Sequence, residues 1–354
     1  MDKRRKFVNS LYFVVIVSSL LVNIATVLLY QKGIFDNDPT GLKSDSFFTM
    51  LTQWLLFTII PLTAYAIYKK TNKNDNTKIS EDFGFNVFTP KMALQSFVLF
   101  LFVGTLTLTV ILLNYLIILQ PMGYAFYSSS DKYTKVWHFL LGVFLTGISP
   151  AFGEEIFNRG LLYSAHKKSP TEFILRSALL FALMHQNIQQ FAYTFLFGGL
   201  IACMMYYTKS IWCGVLVHFL NNGLQVLYQF AGDTKDPSLH WLVVIQERLS
   251  IPSTGIGIVL FLMRIVGCTV GVVGVLLWMK RCAKKRDLLS NTQLLPVNLY
   301  DVKQPVPTET QESQRLDTGK YLRGTWKKDI PYFLAVGFGA VMTAMSLAWR
   351  SIGL

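Results

Sequence analysis

The chain has 354 residues and a formal net charge of +13; 52% of its residues are hydrophobic and only 15% are charged. Soluble domains carry about 25% charged residues, so this composition excludes an ordinary soluble protein. The basic residues lie between apolar runs and lack the aromatic and basic stripe of a nucleic-acid module, so nucleic acid is not an expected partner. The charge is expected to set membrane topology and to attract anionic lipid headgroups.

Apolar runs long enough to cross a ~30 Å hydrocarbon layer recur along the chain. They predict an all-α fold, a polytopic membrane helix bundle with about 8–9 transmembrane helices. The first run is too long for the apolar region of a cleaved signal peptide, so we expect an uncleaved anchor there. The predicted spans cover 7–30, 47–68, 91–119, 136–163, 171–188, 190–208, 210–230, 255–279 and 330–349.

Clusters of basic residues indicate the orientation of these spans. The positive-inside rule places such clusters in the cytoplasm, which puts the N-terminus inside and, with nine spans, the C-terminus outside. The composition, rich in Lys and Asn, favours a bacterial plasma membrane as the location. The clusters are Lys3 to Lys6, Lys69-Lys70 with Lys73 and Lys78, Lys167-Lys168, Lys209, and Lys280-Arg281 with Lys284 to Arg286.

The chain is predicted to comprise five regions. The composition of 280–329 buries too little apolar surface to fold alone, so we expect a flexible basic cytoplasmic linker there. The short polar segment 186–190 is either a bend within the bilayer or part of one continuous kinked helix. The regions are an N-terminal group of three spans (1–135), a core with the polar motifs (136–230), an external loop with the eighth span (231–279), the linker (280–329) and a C-terminal span (330–354).

Polar residues interrupt the apolar sequence of the core in three places. Ionisable residues inside a membrane face the bundle interior or a watered cavity and indicate a functional site by default. At 1.5 Å rise per residue, Glu154, His218 and His185 lie roughly 14, 12 and 21 Å from the starts or ends of their helices. These depths all fall within the hydrocarbon layer, which favours one shared site over separate structural features.

Spacing divides these residues into roles. Glu155 and Arg159 are four apart, on one helix face, so they are expected to form a structural ion pair. Glu154 points about 100° away and is left to act as a general base. His218 and Asn222 are also four apart and could hold an oxyanion from one helix face. Each motif alone also fits a structural role: both glutamates could simply join helices, and His185 could be a hydrogen-bonded core histidine.

The ordered set Glu-Glu-x-x-x-Arg, Phe-x-x-x-His and His-x-x-x-Asn resembles the CAAX-protease and bacteriocin-processing (CPBP, or Abi) family, in its type II CAAX prenyl protease-like form. The resemblance covers about 136–230. It implies an intramembrane endopeptidase in which Glu154 and His185 activate a water, and His218 with Asn222 stabilises the oxyanion. It also implies that three residues support the site: Glu155, Arg159 and Phe181.

The resemblance leaves the cofactor open, because some members have been described as zinc metalloproteases. Glu154, His185 and His218 would then be the zinc ligands, with an open position. The sequence has no His-Glu-x-x-His helix, so the metal-free glutamate protease, with no cofactor, is favoured.

The expected partners are the lipid bilayer and a membrane-associated substrate, either a lipidated or a bacteriocin-like peptide or protein. The alternative function is a non-proteolytic membrane scaffold that binds and regulates a cell-envelope enzyme, sensor or immunity partner. A transporter is disfavoured because the sequence shows no paired, broken-helix halves of an inverted repeat.

Overall fold

A computed structural model describes residues 2–35, 41–72, 77–123, 132–248, 255–293 and 318–351. Regular structure in these ranges is helical throughout, which confirms the predicted all-α membrane bundle. The helices are α1 (Asp2–Gln31), α2 (Leu42–Thr71), α3 (Ile79–Phe83), α4 (Pro90–Leu119), α5 (Val136–His166), α6 (Pro170–Met184), α7 (Ile188–Thr208), α8 (Ile211–Thr234), α9 (His240–Arg248), α10 (Gly255–Gln293) and α11 (Thr318–Ser351).

Seven helices in the described ranges are long and apolar enough to cross a membrane: α1, α2, α4, α5, α7, α10 and α11. This establishes an integral, multi-pass membrane protein. Two further helices, α6 and α8, pack among them: α6 against α7 and α11, and α8 against α4 and α5. Helix α6 has only 15 residues, and α8 carries His218 and Asn222 within its length. The short length of α6 and the polar residues of α8 therefore occur in the part of the bundle that contains the predicted site.

The polar segment between α6 and α7 is a bend, so the alternative of one continuous kinked helix is wrong. Helix α6 ends at Met184, and Gln186 has a φ of 51°, in the left-handed region that ends helices. The side chain of Asn187 caps α7 by accepting a hydrogen bond from the Gln189 backbone N–H at 3.0 Å. Asn114 of α4 donates to the Gln189 carbonyl at 3.2 Å. Protein groups thus satisfy backbone polar groups at this bend.

Both ends of the predicted flexible linker are helical. Helix α10 continues to Gln293 and α11 begins at Thr318, so 280–293 and 318–329 belong to helices rather than to a linker. Lys and Arg are good helix formers, so a helix that starts in lipid can continue into the basic sequence. The middle of the predicted linker, 294–317, lies outside the described residues.

Basic clusters from different helix ends meet at one end of the bundle. The carboxylate of Asp82 in α3 is fully buried and contacts Arg4 at 3.0 Å, Lys167 at 3.0 Å and Lys69 at 3.3 Å. These contacts join the ends of α1, α2 and α5. Lys209, at the end of α7, pairs with Asp287 of α10 at 2.9 Å. We call this end of the bundle, marked by Arg4, Lys69, Lys167 and Lys209, the basic face.

Helices α2 and α5 contain widened, π-helical turns where they approach each other. These turns cover Met50–Ile59 in α2, and Val143–Ile148 and Ile156–Leu161 in α5. A Cβ atom added at Gly153 would lie 2.5 Å from the carbonyl oxygen of Gln53, so only glycine allows this approach. Such wide turns are frequent at functional sites. Here they bring the side chain of Gln53 against α5 at the predicted glutamate pair.

Candidate active site

The predicted contact between Glu155 and Arg159 is present and fully buried. The Arg159 guanidinium donates to Glu155 Oε1 at 2.9 Å, and both side chains have 0% exposure. His218 joins them, since its Nδ1 lies 2.9 Å from the same carboxylate oxygen. The sequence predicted a structural role for the ion pair of Glu155 and Arg159. In the structure this pair also contacts His218, a residue of the predicted oxyanion site.

Phe181 holds this group together from α6. The Arg159 guanidinium lies over the Phe181 ring, 4.2 Å from its centroid, a favourable arrangement for a buried cation. The rings of His185 and His218 meet Phe181 edge to face, with centroids 4.9 and 5.9 Å away. Arg159 also donates to the carbonyl oxygen of Gly198 in α7 at 3.3 Å. The predicted support residue thus touches three of the polar side chains.

Glu154 lies beside this group, with its two carboxylate oxygens in different surroundings. Its Oε1 accepts a hydrogen bond from Gln53 Nε2 at 3.0 Å. Its Oε2 is buried and has no hydrogen-bond partner among the described residues, and it lies 3.8 Å from His218 Nε2. A polar gap of this width suits a bridging water. Gln53 was not predicted from the sequence, although it is also a polar residue inside an apolar span, like the residues that were predicted.

His185 directly follows the last residue of α6, and a backbone carbonyl orients its ring. Its Nδ1 lies 2.7 Å from the carbonyl oxygen of Phe181. A carbonyl only accepts, so Nδ1 carries the proton and Nε2 of the neutral ring is an acceptor. Within the described residues, no direct hydrogen bond joins His185 to Glu154. A shared water is required if the two residues act together.

Asn222 is held against α5. Its Nδ2 donates to the carbonyl oxygen of Thr146 at 3.0 Å, and its Oδ1 accepts from Asn221 Nδ2 at 3.2 Å. A side-chain amide has two N–H donors, so one remains for another acceptor. Because the contact with Thr146 fixes the orientation of the amide group, it also fixes the direction of the remaining N–H.

One cavity of about 350 Å³ connects the four predicted catalytic residues. Glu154, His185, His218 and Asn222 all line it. Apolar rings, including Phe181 and Phe197, form part of its wall, and further polar side chains complete it: Thr107, Thr146, Gln189, Gln190, Tyr193, Thr194, Asn221 and Gln225. The bundle therefore contains a polar space of ligand size at the predicted site.

Asn158 supports the glutamate pair from within α5, a role that sequence reasoning did not assign. Its amide donates to the backbone carbonyl of Glu154 at 3.1 Å and contacts Met184 Sδ at 3.2 Å. The hydroxyl of Tyr12 donates to the Asn158 side-chain oxygen, which ties α1 to the site. Because Asn158 is fully buried, these contacts position the backbone that presents Glu154.

The residues suggested as zinc ligands do not form a metal site in this arrangement. Among the described residues, no three His, Cys, Asp or Glu side chains are grouped so that they could hold a metal ion. His218 uses Nδ1 to contact Glu155, and His185 uses Nδ1 to contact backbone. These contacts leave Nε2 of each ring free, but Glu154, His185 and His218 are not grouped as a three-ligand metal site among the described residues.

Comparison with known proteins identifies one family over this region. Residues 136–224 match the family described as type II CAAX prenyl endopeptidase Rce1-like. The match covers about a quarter of the chain and includes all three polar motifs. No curated protein and no solved structure matches the chain.

Proposed function

Because residues 136–224 belong to the Rce1-like family of type II CAAX prenyl endopeptidases, we propose that this protein is an intramembrane endopeptidase. It hydrolyses a peptide bond in a membrane-associated peptide or protein. The observation that carries the proposal is the position of Glu154 in the polar cavity. One of its carboxylate oxygens is anchored by Gln53, and the other is buried without a hydrogen-bond partner among the described residues.

Glu154 acts as the general base in this mechanism. A water bound near Glu154 Oε2 gives a proton to that oxygen as its own oxygen attacks the substrate carbonyl carbon. His185 orients the water through Nε2, because its Nδ1 is already used by the Phe181 carbonyl. When the tetrahedral intermediate collapses, the C–N bond breaks and Glu154 returns the proton to the leaving amine.

His218 and Asn222 stabilise the oxyanion. The free N–H of Asn222 and the Nε2–H of His218 donate to the oxygen that becomes negative during attack. In this role His218 carries a proton on each ring nitrogen. The buried group then contains two cations, Arg159 and His218, and two anions, Glu154 and Glu155. Such a balance suits a site in which unpaired buried charge is costly.

We propose that the reaction needs no metal ion. The chemistry depends on a carboxylate base and two neutral or cationic donors, all of which line the cavity. No step is assigned to zinc, because the described residues include no group of three metal-ligating side chains.

The substrate is expected at the membrane, since the cavity lies within the helix bundle between spans. Lipidated and bacteriocin-like peptides are both compatible with this position. We place the basic face in the cytoplasm of a bacterial cell, following the positive-inside rule, so that the N-terminus is cytoplasmic.

The proposal is tested by replacing Glu154 and His185 separately. Glu154→Gln keeps the shape and the Gln53 contact but removes the base, and His185→Ala removes the water-orienting nitrogen. A deletion strain is complemented with each variant, and new N-termini of membrane proteins are compared by mass spectrometry. Cleavage should fall about 10²–10⁴-fold in both variants.

Matched controls separate loss of chemistry from loss of protein. Glu81→Gln and His240→Ala change the same residue types at exposed positions outside the cavity, and both should retain wild-type cleavage. Full cleavage by both site variants would disprove the protease mechanism. If the wild-type protein complements the deletion strain but no cleavage is detected, the scaffold alternative is supported instead.

A further inference from the structure

A second cavity opens on the basic face, apart from the candidate active site. It has a volume of about 730 Å³ and lies between the start of α4, the end of α7 and the basic end of α10. Four cationic residues line it: Lys91, Arg281, Lys285 and Arg286. We propose that this cavity binds the phosphate headgroup of an anionic membrane phospholipid.

The charge around the cavity favours an anion. Lys91 comes from α4, and Arg281 and Lys285 come from α10, so two helices supply exposed cations to one space. The described residues that line the cavity include no Asp or Glu. The nearby carboxylate of Asp287 pairs with Lys209 at 2.9 Å and lies 3.5 Å from Arg286 Nε, which leaves Lys91, Arg281 and Lys285 as the cations that the proposal needs. The N-terminus of α4, where Thr89 caps the helix, adds its partial positive charge.

Arg286 and Gln95 form the fixed part of the cavity. Arg286 donates to the carbonyl oxygens of Thr208 at 2.9 Å and Tyr207 at 3.0 Å, so it connects α10 to the end of α7. Gln95 is only 2% exposed and contacts Cys282 Sγ at 3.7 Å. These contacts hold the walls in place, and Lys91, Arg281 and Lys285 remain as the cations around the opening.

The depth of the cavity points to a lipid rather than a soluble anion. Lys91 is at the start of the span Pro90–Leu119, and Arg281 is near the end of the span over Gly255–Asp287. Both positions correspond to the headgroup level of one leaflet. Among the candidate spans of the described residues, that of α10 is the least covered by protein, with 6% of its apolar window buried.

Exposed apolar side chains lie on the same two helices, on the span side of the cationic residues. Leu94 and Phe97 on α4 are 54% and 46% exposed, and Val273 and Leu277 on α10 are 49% and 46% exposed. Acyl chains can pack on these two surfaces while the phosphate contacts the cations above them. Basic pockets between transmembrane helices on the cytoplasmic side bind lipid headgroups in this way. A lipid in this position would strengthen the attachment of α10 to the rest of the bundle.

Two double variants on the same helix test the proposal. Arg281→Gln/Lys285→Gln removes cations that line the cavity, and Lys280→Gln/Lys284→Gln removes the same charge from residues of α10 that do not line it. The full-length protein is purified, and retained lipid is measured by native mass spectrometry in the presence of phosphatidylglycerol and phosphatidylcholine. Thermal unfolding is followed in nanodiscs with and without phosphatidylglycerol.

Wild type and the control variant should retain phosphatidylglycerol over phosphatidylcholine and unfold at a higher temperature when it is present. The cavity variant should bind phosphatidylglycerol about 25-fold more weakly, at roughly fivefold for each cation removed. Lys91→Gln should weaken it about fivefold, because the site needs cations from both helices. Equal losses in the two double variants would show diffuse attraction to α10 and would overturn the proposal.

A final comparison distinguishes a lipid from a free phosphate. Inorganic phosphate and glycerol phosphate are added to the detergent-solubilised protein at the same concentration as phosphatidylglycerol. Neither should reproduce the thermal shift, since neither has acyl chains to pack on α4 and α10. An equal shift with inorganic phosphate would replace the lipid with a soluble anion as the occupant.

Discussion

Arg159 and His218 bond to the same atom, Glu155 Oε1, each at 2.9 Å. A fully buried carboxylate therefore connects the residue that neutralises it with a residue that lines the cavity. Because the carboxylate accepts from His218 Nδ1, the Nε2 atom of the ring is directed toward Glu154. The glutamate expected only to support the helix thus also contacts the His218 ring and fixes its orientation.

Replacing Glu155 with Gln should lower both stability and activity. The change leaves Arg159 charged and buried without its carboxylate, which typically costs 3–5 kcal/mol. His218 keeps only a neutral amide oxygen as its acceptor, which Arg159 also needs, so its ring is held more weakly. Thermal unfolding in detergent measures the first effect, and peptide cleavage measures the second. The exposed substitution Glu81→Gln on α3 should change neither.

A paired substitution separates the two effects of Glu155. In Glu155→Gln/Arg159→Met, no uncompensated buried charge remains, so much of the lost stability should return. Cleavage should stay low, because His218 still lacks its carboxylate. Recovery of cleavage together with stability would assign Glu155 a purely structural role.

Replacing Gln53 with Leu should reduce activity without unfolding the protein. The substitution removes the donor to Glu154 Oε1, and a hydrogen bond to a charged group contributes about 1.5–3 kcal/mol. If that energy positions the base, cleavage falls about 10- to 100-fold. Kinetic comparison with Gln120→Leu, at an exposed helix end, provides the check. A lower unfolding temperature with unchanged cleavage would contradict a positioning role.

Glycine 214 should be intolerant of even one added methyl group. A Cβ atom there would lie 2.8 Å from Glu155 Oε2 and 2.8 Å from Ile201 Cγ2, whereas nothing lies within 4 Å of a Cβ at Gly232 on the same helix. Gly214→Ala should destabilise the protein by about 1–3 kcal/mol and displace Glu155. Gly232→Ala should be neutral or stabilising by about 0.4–1 kcal/mol. Equal unfolding temperatures for the two variants would contradict this account.

The sequence was sufficient for the fold class and for most members of the site. Long apolar runs predicted the membrane bundle, and polar residues inside them led to the four side chains that line one cavity. The i, i+4 spacing of Glu155 and Arg159 identified their contact because helix geometry fixes such pairs. The assigned catalytic roles stay predictions.

Contacts between helices distant in sequence were beyond these patterns. Gln53 reaches Glu154 from 101 positions away, and His218 reaches Glu155 from 63 positions away. Their partners depend on how the helices pack, and on widened turns that no spacing rule indicates. The ends of 280–329 were predicted wrongly for a different reason. Composition indicates whether a segment has enough apolar residues to fold on its own. A transmembrane helix can continue into polar sequence without forming such a core.

Chelation should leave cleavage unchanged. The described residues offer no group of three metal ligands, and the proposed mechanism uses a carboxylate base with histidine and asparagine side chains. Activity is measured after dialysis against a chelator, and zinc content is measured on the same sample by mass spectrometry. Loss of cleavage that zinc restores, with about one zinc per chain, would require a metal-bound arrangement of Glu154, His185 and His218 that differs from this structure.

Asp82 should make the stability of the basic face depend on pH. Burial alone would raise the pKa of its carboxyl. Hydrogen bonds from Lys167 and Thr77, together with the charge of Lys167, lower that pKa by more than burial raises it, so the pKa lies below its ordinary value of 3.8. A lowered pKa in the folded state contributes stability above the unfolded-state value. That contribution is lost as the pH falls through the folded-state value.

Asp82→Asn should therefore unfold at a lower temperature than wild type at neutral pH, because Arg4, Lys69 and Lys167 lose their shared carboxylate. The difference should stay constant down to the ordinary aspartate value of 3.8 and shrink at lower pH, as wild-type Asp82 itself becomes protonated. Unfolding temperatures across this range, with Glu81→Gln as the exposed neighbour, measure it. A difference that does not change with pH would show that the Asp82 side chain acts through packing, since packing does not titrate.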